Sequence, residues 1–176
     1  MNVGASKASD AGLYFQWGDT SGYTADQVGK DKQFDWDDYK WSIDGSYSNF
    51  TKYKTEDEAL EIEDDAAHAN MGGDWHMPTP TQINELLNNT TNTLTIQDGV
   101  EGRLFTSKNG KSIFIPAAGG AWVGAVNSRG SYGYVWSSVV SSSIVYRGQN
   151  LDFSSFHAGL DYNNRSCGFS VRGVLG

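Results

Sequence analysis

The chain has 176 residues, 38% of them hydrophobic and 13% aromatic, with 21 glycines and three prolines. That is enough for one domain with a core, and its short apolar runs exclude a helical bundle. Thirteen basic against 21 acidic residues leave a formal charge of -8, which argues against the clustered cationic groove of a nucleic-acid-binding domain. The single cysteine, Cys167, excludes an intrachain disulfide and a cysteine-based zinc site, and no run approaches the ~18 apolar residues of a membrane span.

Residues 1–20 carry no basic-then-apolar leader, so the expectation is either no export by that route or a chain that is part of a longer protein. "GLYFQWGDT" (12–20) predicts a short strand ending in a glycine turn. Residues 21–58 are polar, acidic and aromatic with weak helical periodicity. They read as a long irregular segment, unusual in a compact domain, pinned by Phe34, Trp36, Tyr39, Trp41, Phe50 and Tyr53.

A short helix is predicted from Asp64 to Asn70, stopped by Gly72-Gly73. After the extended "DWHMPT", Thr79 is an N-cap, Pro80 the first helical residue and Gln82 the third, which is a capping-box pattern. That helix runs to about Asn88 and buries Ile83, Leu86 and Leu87. Beyond it the chain reads as all-β. Asn109-Gly110 marks a hairpin between "GRLFTS" and "KSIFIP", closed by Pro116. A glycine-rich loop precedes a strand at Tyr134–Ser137, and "SIVYRGQNLDF" and "CGFSVRGVL" are the last strands. No internal repeat or low-complexity linker interrupts the order.

The final third poses the functional question. Leu151 and Phe153 alternate with Asn150 and Asp152, and Phe169 and Val171 with Ser170 and Arg172. The apolar set should pack inward, leaving the polar and aromatic residues between these positions on the surface or in loops. A surface of Tyr, Phe, His, Asn, Ser and Arg has the composition of an antibody paratope, with large rigid contacts from Tyr and adaptable hydrogen bonds from Ser and Asn.

Catalytic and metal motifs are weak. Asp35, Asp37 and Asp38, and Glu63, Asp64 and Asp65, lack EF-hand spacing and read as solvated acidic faces. His68, His76 and His157 have no metal-ligand spacing. No Gly-x-Ser-x-Gly elbow marks a serine nucleophile, and Cys167 reads as a small packed residue. No metal and no cofactor are expected. The Asn-x-Ser/Thr sequons at Asn49, Asn88, Asn89 and Asn164 would matter only in a eukaryotic secretory setting.

Five separated blocks carry a resemblance: "NVGASKASDAGLYFQWGD", "DDAAHANMGGDWHMPTPTQINELL", "NGKSIFIPAAG", "GYVWSS" and "GFSVRGV". In this order they resemble the C-type-lectin-like domains of Bacteroides and their phages, which belong to the formylglycine-generating-enzyme subgroup of that fold. The resemblance covers nearly the whole chain. It implies an α+β domain over residues 1–176, with two short helices, small antiparallel sheets and long loops. Relatives carry an extra strand before "NVGA", so the resemblance implies that this chain lacks its N-terminal strand or receives it from a preceding segment. The wording of "GLYFQWGDT" is closest to phage versions, in which such a domain ends a tail protein.

In many relatives a diversity-generating retroelement rewrites the segment before the terminal block. By that resemblance the fixed frame is Trp136, Ser137, Ser138, Leu151, Phe153, Gly168, Phe169, Val171 and Arg172. The candidate ligand-binding residues, within 139–165, are Tyr146, Arg147, Gln149, Asn150, Asp152, Phe156, His157, Asp161, Tyr162, Asn163, Asn164 and Arg165. The expectation is a non-enzymatic receptor-binding domain on a virion tail, gripping a cell-surface protein or glycan of a bacterial host, with a homotrimer expected from that setting. The alternative is a fixed-specificity lectin on a bacterial surface. A formylglycine-type enzyme is disfavoured because its copper chemistry uses more than one thiol. Arg172 is expected to be structural, paired with Asp64 or Asp65.

Overall fold

The computed structural model describes all 176 residues and is an α+β protein with two helices and three small antiparallel sheets. The helices are α1 (Ala66–Met71) and α2 (Pro80–Asn89). The first sheet holds β1 (Thr90–Gln97), β2 (Val100–Ser107) and β3 (Ser112–Pro116) in that order. The second is the hairpin of β4 (Gly120–Trp122) and β5 (Ala125–Asn127). The third holds β6 (Gly133–Val140), β7 (Arg147–Phe153) and β8 (Ala158–Asn164), with β7 central.

Local chemistry sets the helix starts. The Gln82 N–H donates to Thr79 Oγ1 (3.2 Å) and the Thr79 N–H to Gln82 Oε1 (2.9 Å), so the capping box forms as its sequence predicts. Asp65 caps α1 by accepting from the His68 N–H (2.9 Å), and α1 ends at Gly72 with φ 71°. Ile83 on α2 packs with Phe105, Ile115, Val135, Leu151 and Phe153, and Leu86 and Leu87 flank it. The inner face of β7 is thereby fixed against the helix.

The second cluster joins the chain's two halves. Trp17 and Trp136 are fully buried beside Phe15 and Phe169. Each indole donates to a carbonyl of the other's segment: Trp17 Nε1 to Ser137 O (2.9 Å) and Trp136 Nε1 to Phe15 O (2.8 Å). Gly148 of β7 faces this cluster so closely that a Cβ there would lie 2.7 Å from Trp17 Cδ1.

Residues 21–58 are irregular, and aromatic packing holds them. Phe34, Tyr39, Phe50 and Tyr53 are buried; Trp36 and Trp41 are half-buried. The acidic residues predicted as a solvated face shape this segment instead. Asp38 accepts from the Gln33 and Phe34 N–H groups through Oδ2 and from the Asp35 N–H and Gln16 Nε2 through Oδ1.

Four strands were not legible in the sequence. β1 follows α2 directly and pairs with β2 across an Asp98-Gly99 turn (φ 51° and 77°), and β4 and β5 lie inside the predicted glycine-rich loop. β8 occupies most of the polar-aromatic run 154–165, which is therefore an edge strand and not a loop. The tail predicted as a strand makes single bridges to successive segments, Ala121–Gly168, Phe15–Phe169, Val135–Ser170, Asn2–Arg172 and His76–Val174. Both its faces are covered, so Ser170 is buried like Phe169 and Val171. Arg172 does not meet Asp64 or Asp65. It donates to Asn2 Oδ1 (3.3 Å) and Phe114 O (3.1 Å), while Asp64 holds Lys52 and Tyr53.

Candidate binding face

The β7–β8 register sorts the candidate residues. Directly opposed residues share a face, so Arg147 and Asn164, Gln149 and Tyr162, Leu151 and Leu160, and Phe153 and Ala158 lie together. The apolar half of this face packs under α2. The half at the start of β7 is polar and aromatic. The other face carries Gly148, Asn163, Asn150, Asp161, Asp152 and Gly159.

Three of the twelve candidates are corrected by their burial. Asn150 lies opposite Trp136 in the middle of the sheet and is fully buried, accepting from Asn163 Nδ2 (3.0 Å). Asp152 is buried beside Tyr134, and burial raises its carboxyl above the usual range, with the nearby His157 opposing. Arg165 is fully buried. It donates from Nε to Tyr39 Oη (3.0 Å) and from Nη1 to Tyr53 O (2.8 Å) and Val145 O (3.0 Å), over the Phe50 ring at 4.2 Å. A central strand is covered on both faces, so alternation alone did not leave its polar residues outside.

The remaining nine do not form one patch. Phe156, 94% exposed, and His157 sit at the β7–β8 turn. Six residue steps along β7 separate that end from Arg147, roughly 20 Å at 3.3 Å per residue. Asp161 is exposed on the other face. Tyr146, Arg147, Gln149, Tyr162, Asn163 and Asn164 gather at the start of β7 and the end of β8.

At the turn, a Ser, a His and an Asp do meet. His157 Nε2 lies 3.1 Å from Asp152 Oδ1, and His157 Nδ1 lies 3.3 Å from Ser154 Oγ. Ser154 is buried, its Oγ accepts from the Phe156 N–H (3.2 Å), and its carbonyl holds the Arg103 guanidinium (2.9 Å). The hydroxyl closes a turn and lines none of the clefts described below. These contacts make a turn lock, not an exposed nucleophile.

Around Tyr146 the face gains residues from distant parts of the chain. Tyr47, exposed, meets Tyr146 edge-on at 5.5 Å, and Trp36 meets it at 6.5 Å. The Arg147 guanidinium lies 5.7 Å from the Tyr146 ring centre and 5.6 Å from that of Tyr162. Beside this ridge opens a cleft of about 320 Å³, walled by Trp36, Trp122, Val123, Asn163, Asn164 and Cys167 with Phe34 and Phe169 among its lining. Val123 is 79% exposed and held at φ 52°, a conformation a β-branched residue rarely takes. Its turn is tied to residues 33 and 34 by bonds from the Gly124 N–H to Gln33 O (2.7 Å) and from the Val123 N–H to Phe34 O (3.4 Å). Burial pushes the Cys167 thiol up to about 12, so it is neutral at physiological pH.

Sequence reasoning named Trp36 only as a packing residue and missed Tyr47, Trp122 and Val123. Aromatics in a loop already known to be long were the available signal. A second groove of about 230 Å³, between α2, β3 and the chain ends, is mostly apolar and lies among Ile83, Leu86, Ile113 and Val135. No group of three or more His, Cys, Asp or Glu side chains is arranged to hold a metal ion. No helix is long and apolar enough to cross a membrane. Compared with known proteins, the chain matches no family model, no curated protein and no solved structure.

Proposed function

We propose that this chain is a C-type-lectin-like binding domain whose working surface is the tyrosine–arginine ridge at the start of β7 and the end of β8. The observation that carries this reading is the assembly of Tyr47, Tyr146, Arg147 and Tyr162, exposed or half-buried, beside an aromatic–amide cleft. Tyr and Arg are enriched among interface hot spots: Tyr offers a large contact area with two rotatable bonds, and Arg a planar fork of hydrogen-bond donors. Tyr146 also packs on Trp36 and Tyr47 of the irregular segment, but the Arg147 guanidinium is not used within the fold, whose centre is the buried Trp17–Trp136 cluster. In this reading the domain is not an enzyme. It is the host-adhesion tip of a phage tail protein, binding a surface protein or glycan of a Bacteroides-type cell, and a retroelement diversifies its exposed residues. A homotrimer would raise weak single-site affinity by multivalency.

A fixed-specificity bacterial surface lectin is the second reading, favoured by the cleft, where aromatic rings and the Asn163 and Asn164 amides could accept a sugar ring. Population sequencing of the encoding gene separates the two. Under the retroelement reading, substitutions fall at adenines in the codons for Tyr146, Arg147, Gln149, Tyr162, Asn163 and Asn164, while Gly148, Asn150 and Arg165 hold. Even or absent variation there overturns that reading and leaves the fixed lectin, to be screened against glycans with and without calcium.

A further inference from the structure

We infer that Arg147 is the anchor of an oxyanion site, so that the ligand of this surface carries carboxylate or sulfate groups. The inference rests on the reading of this ridge as the binding face. It begins from what the other arginines do. Arg103, Arg165 and Arg172 each spend their guanidinium on backbone carbonyls inside the protein; Arg129 is unpaired like Arg147, but no aromatic ring flanks it and none of its nitrogens is buried without a partner. Arg147 makes no side-chain hydrogen bond and no ion pair, although the chain carries 21 acidic residues. Its Nε is buried without an acceptor.

A guanidinium left this way is costly unless something external completes it. The Tyr146 and Tyr162 rings on either side hold it in place. Its fork is thus oriented in advance, which reduces the ordering lost on binding. The neighbours are also donors. Asn164 faces Arg147 across the ladder, and its amide, like the Tyr146 and Tyr162 hydroxyls, has no partner within the protein. A planar fork flanked by hydroxyl and amide donors matches an oxyanion, which accepts from all of them. In a chain of net charge -8, one unpaired cation on the binding face also selects against ligands that lack a compensating negative group.

The test uses the 176-residue protein and three immobilised polymers: polygalacturonate (carboxylate), dextran sulfate (sulfate) and unmodified dextran (neutral). Binding is read by interferometry at low and physiological salt. At least one charged polymer should bind and weaken with salt, with dextran silent. Arg147→Gln should weaken that binding roughly tenfold, the size of one charge-assisted bond. Arg147→Lys should fall between, and Arg129→Gln, beside a different cleft lined by Ser9 and Glu101, should change it less than about twofold. Which polymer binds identifies the anion. Equal binding to dextran, no binding to either charged polymer, or equal losses from the Arg147 and Arg129 variants overturn the inference. Labelled protein on host cells keeps the two readings apart. If Tyr146→Ala abolishes cell binding and Arg147→Gln does not, the face stands and the oxyanion site falls. If neither variant matters, both fall.

Discussion

Replacing Arg165 by methionine tests whether the buried cation at the end of the last hairpin serves the fold and not a ligand. The side chain is fully buried and has no carboxylate partner; its charge is met by Tyr53 O, Val145 O and Tyr39 Oη and by the faces of Phe50, Trp17 and Tyr39. Methionine keeps most of the volume against Phe50 but leaves the Tyr53 and Val145 carbonyls unpaired. At ~1–3 kcal/mol for each orphaned buried acceptor, the loss comes to about 4 kcal/mol. At roughly 2–4 °C per kcal/mol for a domain of this size, the melting temperature should fall by roughly 8–16 °C. Arg165→Lys keeps the charge but not the fork and should recover only part of that. Thermal melts by circular dichroism, with cell binding measured below the transition, decide the matter. A methionine variant that melts within about 2 °C of the parent while losing binding would make Arg165 a contact residue and refute the packing argument.

Gly148→Ala should cost roughly 1–3 kcal/mol, because the new methyl must displace Trp17 from 2.7 Å away; urea denaturation reads the loss, and an unchanged midpoint would show that the sheet can shift. Thr79→Ala removes the α2 cap and should cost about 1 kcal/mol in the same assay, with faster amide exchange in the helix's first turn. Asp64→Asn tests the pH dependence. Burial raises the Asp64 carboxyl, but bonds from Lys52 and Tyr53 and the nearby Lys52 and Lys40 charges outweigh this and hold it below the usual range. A folded-state value below the unfolded one stabilises above the ordinary carboxylate range and is lost as pH falls through the folded value. The variant should therefore melt lower than the parent at pH 7, with the gap closing toward pH 3. A gap that stays constant with pH would show that the contribution is not ionic.

The parts legible in the sequence were those whose causes are local. The Thr79–Gln82 box involves four consecutive residues and the Asn109-Gly110 hairpin needs only its turn, so both read correctly from the chain. The aromatics of residues 21–58 were legible as anchors because a loop that long has to be held by something. β1 and β8 were not, because "TTNTLTIQ" and "AGLDYNN" are sheet edges rich in polar residues. The tail's contacts were out of reach for a different reason. Its five bridge partners lie in five separate parts of the sequence, and no period records them.

The candidate site divides along the same line. A polar residue in a strand reads as exposed only if one face of the sheet is free, and β7 has neighbours on both edges and packed groups on both faces over most of its length. Asn150, Asp152 and Arg165 each meet a partner within the protein: Asn163 for the Asn150 Oδ1, although the Asn150 Nδ2 stays unpaired, the exposed His157 at the turn for Asp152, and the carbonyls of residues 53 and 145 for Arg165. Where the packing stops, at Tyr146, Arg147, Tyr162 and Asn164, the same alphabet has no internal partner. Arg165 and Arg147 are 18 positions apart, and one is spent within the fold while the other has no hydrogen-bond or ion-pair partner in the protein. What separates them is the carbonyls around the first and the two open-sided tyrosine rings around the second. A binding function for this domain therefore rests on the few polar groups that the fold leaves unpaired, not on the polarity of the segment as a whole.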